Sequence, residues 1–334
     1  MEMPGIDRRS ALLGTFALGI GGVAAGQTAP PAVPGRKVPG PPDPRETIEL
    51  WPNGAPGMPA TPPVETVEER SKDPRLADRA VHGITRPRLV VFRPEKPNGT
   101  AVLLFPGGGY RWVVVDKEGY EMGRWLAARG FTAFVLFYRL PGEGWGAGPD
   151  VALSDAQRAM RILRSRAGHY SIRPDRVVAM GFSAGGHLCG DLATRFDAPT
   201  YAVVDAADRL SARPDGAALL YAVQSMTLPV AHAGSRMQLL GANADPALER
   251  AHTPARNVTA RTPPCFLLHA EDDLSVPVEN TLEMRAALRA AGVLAETHLF
   301  PGGGHGFGLR LAAGKPVQVW PELFQRWAEA RGLA

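Results

Sequence analysis

Ser183 lies between two glycines, in the stretch Gly181-Phe182-Ser183-Ala184-Gly185. The apolar run DRVVAMG precedes this turn, and the stretch HLCGDLATRF that follows it can continue as a helix. A sharp strand-to-helix turn with glycine on both sides can lift a serine hydroxyl above the end of a sheet, where the hydroxyl can act as a nucleophile. The helix N-terminus directs a partial positive charge at the same place. The alternative is a structural serine in a tight glycine turn.

Two further polar residues each follow an apolar run: Asp273 comes after PCFLLHA, and His305 comes after AETHLF. If they meet Ser183, the imidazole can take the serine proton, and the carboxylate can hold the imidazole in the required tautomer. Asp272 and Glu271 compete with Asp273 for that role. The alternatives are a helix-capping acidic loop at Asp273 and a glycine-rich phosphate loop or a structural histidine at His305.

A glycine-rich stretch, FPGGGY, follows the apolar run TAVLLF. Successive glycines leave their N–H groups free to point at one anion, which acyl transfer needs for its developing oxyanion. Dinucleotide binding fits poorly. It needs Gly-x-Gly-x-x-Gly at the start of a helix, and the nearest match, from Gly142 to Ala147, lacks an acidic residue at the end of the next strand. Along the chain the candidates therefore occur in the order glycine loop, serine, aspartate, histidine.

The elements that position these residues alternate along the chain. Apolar runs such as PRLVVFRP, FTAFVLFYRL and DGAALLYA predict strands. Between the strands, EGYEMGRWLAARG, DVALSDAQRAMRILRSRA and VENTLEMRAALRAAG predict helices, and a last helix is predicted near VWPELFQRWAEA. This alternation indicates a parallel sheet with helices on both faces, whose ligands bind beyond the carboxyl ends of the strands. Residues 222–262 are less regular, and we expect them to form a small insertion over that edge.

Composition excludes several classes of function. The 334 residues carry a net charge of +4 and contain no block of Lys and Arg of the kind that binds nucleic acid. The two cysteines, Cys189 and Cys265, are too few for a disulfide framework and have no metal-ligand spacing. We therefore expect no nucleic-acid partner and no metal, and acyl transfer by a serine needs no cofactor.

The N-terminal region predicts export. Arg8 and Arg9 precede a Gly/Ala-rich apolar run that is followed by small residues, so residues 1–26 are interpreted as a twin-arginine signal peptide. Residues 27–63 are interpreted as a Pro/Gly-rich arm that can hold one short strand in ETIELW, and residues 64–334 as a single catalytic domain. The expected partner of the precursor is the twin-arginine export machinery, with no stable membrane insertion after processing and a periplasmic or secreted location. An uncleaved anchor or a chance basic pair is the alternative.

From about residue 86 to its end, the chain resembles the α/β-hydrolase esterases, and it is most similar to the branch of acetyl xylan esterases and related bacterial carbohydrate esterases. The motifs that carry the resemblance are FPGGGY, YRLP at 138–141, GFSAGGHL, DDLSVP and GGGHGFG. Glu118–Gly119 after PGGGY favours the acetyl-sugar branch, whereas Pro106 replaces the histidine of lipase-like HGGG loops. The resemblance implies the α/β-hydrolase fold: a mostly parallel central sheet, helices on both faces and a minimal lid.

The resemblance also implies roles for particular residues. The expected activity is that of a serine esterase that removes acetyl groups from carbohydrate such as acetylated xylan through an acyl-enzyme. A serine peptidase of the prolyl-oligopeptidase type, a general short-chain carboxylesterase and a non-enzymatic binding module are the alternatives. Tyr110, Trp112 and Trp145 lie on loops near the site, where aromatic rings can stack on sugar faces, with packing in the core or rim as the alternative. The expected residues are Ser183, Asp273 and His305 for catalysis, backbone N–H groups of Gly108, Gly109 and Ala184 for the oxyanion, and Tyr110 and Trp112 for the substrate.

Overall fold

The structure, a computed structural model, describes residues 42–334. The signal peptide predicted for residues 1–26, and the first part of the predicted arm, lie outside the described residues. Among the described residues, no helix is long and apolar enough to cross a membrane.

Eleven strands and seven α-helices make up the described part of the chain. The strands are β1 (Thr47–Glu49), β2 (Thr66–Glu69), β3 (Arg79–His82), β4 (Arg88–Phe92), β5 (Ala101–Phe105), β6 (Val113–Val114), β7 (Thr132–Phe137), β8 (Val177–Phe182), β9 (Gly216–Leu220), β10 (Cys265–Ala270) and β11 (Ala295–Phe300). The helices are α1 (Glu121–Ala127), α2 (Val151–Ser165), α3 (Ser183–Arg195), α4 (Ala233–Leu240), α5 (Pro246–Ala251), α6 (Glu279–Ala290) and α7 (Trp320–Ala330). A π-helical turn, Asp116–Tyr120, leads into α1.

The central sheet has eight strands in the order β1-β4-β7-β5-β8-β9-β10-β11. Strands β1 and β4 pair antiparallel, as do β4 and β7, and all the later neighbours are parallel. Every residue of β5, β7, β8, β9 and β10 is buried, which explains their continuous apolar sequences. The predicted parallel sheet is confirmed, and its antiparallel edge was not predicted.

The strand order also explains how helices cover both faces. The chain moves from β5 to β7 in one direction along the sheet and then from β7 through β8 to β9 in the other. Because crossovers between parallel strands are right-handed, this reversal places α1 on the face opposite α2 and α3. The carboxyl ends of β5, β8, β10 and β11 meet at one edge, and each is followed by one of the candidate loops.

The described part of residues 27–63 belongs to the same domain as the central sheet, so the domain boundary predicted at residue 64 is wrong. Strand β1 pairs with β4, and Leu50 and Trp51 are buried beside it. The Trp51 indole donates a hydrogen bond to Asp155 on α2 over 2.7 Å, and Arg158 donates to the Leu50 carbonyl. Proline and glycine suggested an arm, but a short edge strand and one buried tryptophan are enough to anchor the segment.

Residues 222–262 contain α4 and α5 and lie on the site side of the sheet, since His232, just before α4, lines the site cavity. A second sheet has three antiparallel strands in the order β2-β3-β6. Its strand β6 starts four residues after Gly109, so this sheet continues directly from the glycine loop.

Candidate active site

Ser183 lies at the turn between β8 and α3. Phe182 before it is extended, whereas Ser183 has φ of +54°, in the left-handed region that non-glycine residues rarely adopt. Such a conformation persists only where the surroundings enforce it, and it occurs preferentially at functional sites. The side chain is almost buried, and the first turn of α3 lies directly behind it.

The flanking glycines are required by close approach of the backbone. A Cβ at Gly181 would lie 2.2 Å from the carbonyl oxygen of Gly185. A Cβ at Gly185 would lie 2.1 Å from the carbonyl oxygen of Phe105. Since real Cβ atoms do not come this close to backbone oxygens, a side chain at either position would push the turn away from the sheet. The close packing of this turn therefore requires both glycines of the Gly-x-Ser-x-Gly pattern.

Three side chains form a continuous hydrogen-bonded chain at the carboxyl edge of the sheet. Ser183 Oγ lies 2.9 Å from His305 Nε2, and His305 Nδ1 lies 2.7 Å from Asp273 Oδ2. Because a carboxylate oxygen accepts, Nδ1 carries a proton, and Nε2 of the neutral ring is left to accept the serine proton. This is the arrangement that nucleophilic attack by a serine requires.

The Asp273 carboxylate is fully buried and held on both oxygens. Its Oδ1 accepts hydrogen bonds from the N–H groups of Ser275 and Val276, each over 2.9 Å. Its Oδ2 faces His305, and His269 Nε2 lies 3.3 Å away. Burial by itself would raise the pKa of this carboxyl, but hydrogen bonds from His269 and His305 outweigh burial and hold its pKa well below the usual value. Asp273 is therefore ionised throughout the neutral range.

The neighbouring acid has a different task. Asp272 Oδ1 accepts hydrogen bonds from the N–H groups of Gly303 and Gly304, over 2.9 and 2.7 Å. These two glycines directly precede His305, so Asp272 anchors the loop that carries the imidazole. Glu271 is exposed. Of the three acids considered, Asp273 alone contacts the histidine.

Two backbone N–H groups beside Ser183 are free to receive an anion. Among the described residues, neither Gly108 N–H nor Gly109 N–H has a hydrogen-bond acceptor, whereas Gly107 N–H donates to Glu118. Ala184 lies in the first turn of α3, whose N–H groups have no partner within the helix and no side-chain cap. Gly108 and Gly109 have φ of +132° and +65°, which only glycine adopts without strain. These donors fit the oxyanion site that the resemblance implied.

A cavity of about 430 Å³ opens onto the Ser183 hydroxyl. Trp112, which is expected to contact the substrate, lines the cavity, and its ring also stacks under the Arg111 guanidinium. The insertion contributes His232, which the sequence did not single out. The lining residues are Arg70, Gly108, Gly109, Trp112, Val114, Lys117, Glu118, Ser183, His232, Ser275, His305 and Gly306.

The substrate contact predicted for Tyr110 is wrong. Its side chain is 1% exposed, and its hydroxyl donates a hydrogen bond to His187 Nδ1 over 2.7 Å. Tyr110 has φ of +59°, and its ring packs edge-on against Tyr138 and His187 in the core. Trp145 is also buried, beside the Arg139 guanidinium. Both aromatic rings therefore pack in the core rather than on the rim.

His187 stays neutral inside the protein. Its Nε2 donates to the His252 carbonyl over 2.7 Å, so Nδ1 accepts from Tyr110. Burial lowers the pKa of His187 from 6.5 to about 4. The unfolded chain therefore binds a proton at a higher pH than the folded protein does, and stability falls as pH drops from about 6.5 towards 4.

We expect this histidine to remove about 3 kcal/mol from the free energy of unfolding between pH 7 and pH 4. Urea unfolding of the wild type and of His187→Gln at both pH values measures the difference, since glutamine does not titrate. An equal pH dependence in the two proteins would show that His187 is not the source.

The family model BD-FAE matches residues 90–288, more than half of the chain. This chain belongs to the BD-FAE family. The match begins within β4 and covers the donor glycines, Ser183 and Asp273, and it ends before His305.

This BD-FAE chain is also similar to two curated proteins and to one solved structure. The acetylxylan esterase of Xylanibacter ruminicola is 35% identical over 66% of this chain and 44% of its own length. Endo-1,4-beta-xylanase B of Butyrivibrio fibrisolvens is 38% identical over 61% of this chain and 32% of its own length. The chain thus spans less than half the length of these two curated relatives. The crystal structure of an acetyl ester-xyloside bifunctional hydrolase from Caldicellulosiruptor lactoaceticus is 35% identical, has a TM-score of 0.71, and matches over 87% of this chain and 98% of its own. The chain has the α/β-hydrolase fold.

Proposed function

We propose that this protein is a serine esterase that removes small acyl groups, acetyl above all, from carbohydrate such as acetylated xylan. The observation that carries the proposal is the hydrogen-bonded chain Ser183–His305–Asp273 beside the free N–H groups of Gly108 and Gly109. The names of the similar acetylxylan esterase and acetyl ester-xyloside hydrolase support the substrate class.

The proposed reaction has two halves. Ser183 Oγ attacks the ester carbonyl carbon while His305 Nε2 takes the hydroxyl proton, and Asp273 stabilises the imidazolium. The carbonyl oxygen becomes an oxyanion that receives hydrogen bonds from the donor N–H groups. The carbon–oxygen bond to the sugar then breaks, and His305 gives its proton to the leaving sugar oxygen. Water, deprotonated by the same imidazole, attacks the acyl-enzyme and releases the acid and Ser183.

We expect a preference for short acyl groups. The cavity combines small glycine surfaces with charged and polar groups, Arg70, Lys117 and His232 among them. Each buried methylene of a long acyl chain is worth about 0.8 kcal/mol only where a continuous apolar groove receives it. Values of kcat/KM for nitrophenyl esters should therefore fall from acetyl to octanoyl, and acetate should be released from acetylated xylan. The Ser183→Ala protein serves as the blank in both assays.

The outcomes separate the candidates. A preference for eight or more carbons, with no acetate released from any acetylated sugar, would contradict the carbohydrate proposal. Short-chain preference without release from sugars would leave a general short-chain carboxylesterase. Cleavage of a proline amide instead of esters would favour the peptidase.

Glycoside hydrolysis has less support, although one similar protein is named a xylanase and another an acetyl ester-xyloside bifunctional hydrolase. Most glycosidases use a pair of carboxyl groups that flank the scissile bond. Among the described residues that line the cavity, the carboxyl groups are limited to Glu118, which is buried and hydrogen-bonded. Asp273 is engaged by His305 behind the nucleophile. An acyl transfer reaction uses the Asp273–His305 pair as it stands.

We also propose that the protein is exported, on the strength of Arg8, Arg9 and the apolar run behind them. Fractionation of cells that produce the full chain tests this proposal. Processed protein in the periplasm or medium supports it, and full-length protein in the cytoplasm contradicts it.

A further inference from the structure

Glu118 is a buried carboxylate next to Ser183 that the reaction above does not use. Its side chain lies in the π-helical turn before α1 and is 3% exposed. Among the described residues Glu118 forms no ion pair, although Lys117 Nζ also borders Gly306, 3.1 Å from where a Cβ there would lie. A buried carboxylate costs free energy unless its oxygens accept good hydrogen bonds, so the groups that donate to Glu118 indicate what it holds in place.

The two partners belong to the two loops that surround the nucleophile. Glu118 Oε2 accepts the N–H of Gly107 over 2.8 Å, at the start of the donor loop, residues 107–109. Glu118 Oε1 accepts the hydroxyl of Tyr221 over 3.0 Å. The Tyr221 oxygen in turn accepts the N–H of Gly308 over 3.1 Å, at the end of the histidine loop, residues 303–308.

The packing leaves little freedom for these groups. A Cβ at Gly107 would lie 2.8 Å from Glu118 Oε2 and 2.9 Å from Ser183 Cβ, so the carboxylate, the donor loop and the nucleophile are stacked closely. A Cβ at Gly306 would lie 3.8 Å from Glu118 Oε1. The Tyr221 ring is fully buried and packs edge-on against the His305 ring, with 5.3 Å between ring centroids.

The bond to Gly107 decides which N–H groups remain free. Because Gly107 N–H is engaged, the donor loop is anchored one residue before Gly108 and Gly109, whose N–H groups have no acceptor among the described residues. Without the carboxylate, the Gly107 N–H would be buried and unpaired, and the peptide would have to turn to find a partner. That turn would redirect the donors that follow.

We propose that Glu118 is a positioning residue for ester hydrolysis, which holds the donor loop and, through Tyr221, the histidine loop in the geometry of the tetrahedral intermediate. The inference rests on the proposed function. Since the oxyanion exists only during the reaction, loss of this positioning lowers kcat and leaves KM nearly unchanged.

The test compares Glu118→Leu, Glu118→Gln and Tyr221→Phe with wild type, using nitrophenyl acetate and inhibition by a phenylboronic acid that forms a tetrahedral adduct with serine. For Glu118→Leu we expect kcat to fall about 10²-fold, KM to stay within about threefold, and the boronate Ki to rise with the loss in kcat. For Glu118→Gln we expect kcat within about tenfold of wild type, because the amide oxygen can still accept from Gly107 while the amide nitrogen faces the Tyr221 oxygen.

Tyr221→Phe keeps the bond to Gly107 and removes the link to Gly308, so we expect a loss in kcat of about tenfold, smaller than that of the leucine variant. If Glu118→Leu does not fold, the kcat of Tyr221→Phe tests the positioning role of Glu118 in its place. Glu121→Gln is the matched control, since Glu121 lies on α1, pairs with Arg310 over 3.2 Å, and does not line the cavity. Its kcat should equal that of wild type.

Folded leucine and phenylalanine variants with wild-type kcat and boronate Ki would overturn the inference alone. So would losses that track the fraction of unfolded protein and appear equally in the Glu121 control. A wild-type protein that hydrolyses no ester would instead overturn the proposed function, and this inference with it.

Discussion

Replacing Ser183 with alanine is expected to lower kcat for ester hydrolysis by about 10⁴- to 10⁶-fold, because the members of a catalytic triad act as a unit and the loss of one removes most of its effect. The hydroxyl bonds to His305 and carries the proposed nucleophile, so no acyl-enzyme can form without it. The fold should survive, since the side chain makes no other hydrogen bond among the described residues.

The backbone strain at this position calls for a matched control. Ser171 is also a serine with positive φ, +52°, but it is exposed and remote from the cavity lining. Ser171→Ala should keep full activity, which separates the effect of alanine in left-handed backbone from the loss of the nucleophile. Nitrophenyl acetate turnover, with circular dichroism as the check on folding, measures both variants. Turnover of Ser183→Ala within tenfold of wild type, from a preparation free of other esterases, would remove Ser183 from its proposed role.

The second large effect is expected for Asp273→Asn, with a loss of about 10⁴-fold in kcat. The structure supplies the reason. Because Oδ1 accepts from two backbone N–H groups, at Ser275 and Val276, the amide oxygen of asparagine must take that place. The amide nitrogen then faces His305 Nδ1 and donates to it. This forces the proton onto Nε2, where the imidazole can no longer accept the proton of Ser183.

Asp272→Asn is the matched control for this change. Its Oδ1 accepts from Gly303 and Gly304, and an asparagine oxygen can accept the same two bonds. We therefore expect activity within about tenfold of wild type, while Asp272→Ala should lose more, because it releases the loop that carries His305. A crippled Asp272→Asn beside an active Asp273→Asn would reassign the acid within the loop.

Much of the fold could be predicted because its core strands are continuous apolar runs between amphipathic helices. Strands β5, β8 and β10 and helices α2 and α6 match their predicted segments. The short strand expected in ETIELW is β1, but its place at the edge of the sheet was not predicted, for a physical reason. Its three residues bury a single side chain, and its stability comes from pairing with β4, thirty-nine residues later, which local composition does not encode.

The sequence by itself determined the residue types that acyl transfer requires, their order along the chain, and their positions at strand ends. Parallel strands bring their carboxyl ends to one edge, so the sequence alone predicts that Ser183 and His305 meet across 122 residues. The tight turn at Ser183 could also be predicted from its two flanking glycines, because only glycine allows the close backbone contacts that this turn makes.

Only the tertiary structure decided where individual side chains point. Asp272 and Asp273 are adjacent in one loop, but the fold turns their carboxylates in different directions. Asp272 accepts a hydrogen bond from the Gly303 backbone, whereas Asp273 accepts one from the His305 imidazole. Tyr110 follows the donor glycines yet enters the core, and Glu118 joins two loops that are far apart in the chain. Side-chain direction depends on long-range packing and on backbone angles set by that packing, and neither is contained in the local pattern of residues.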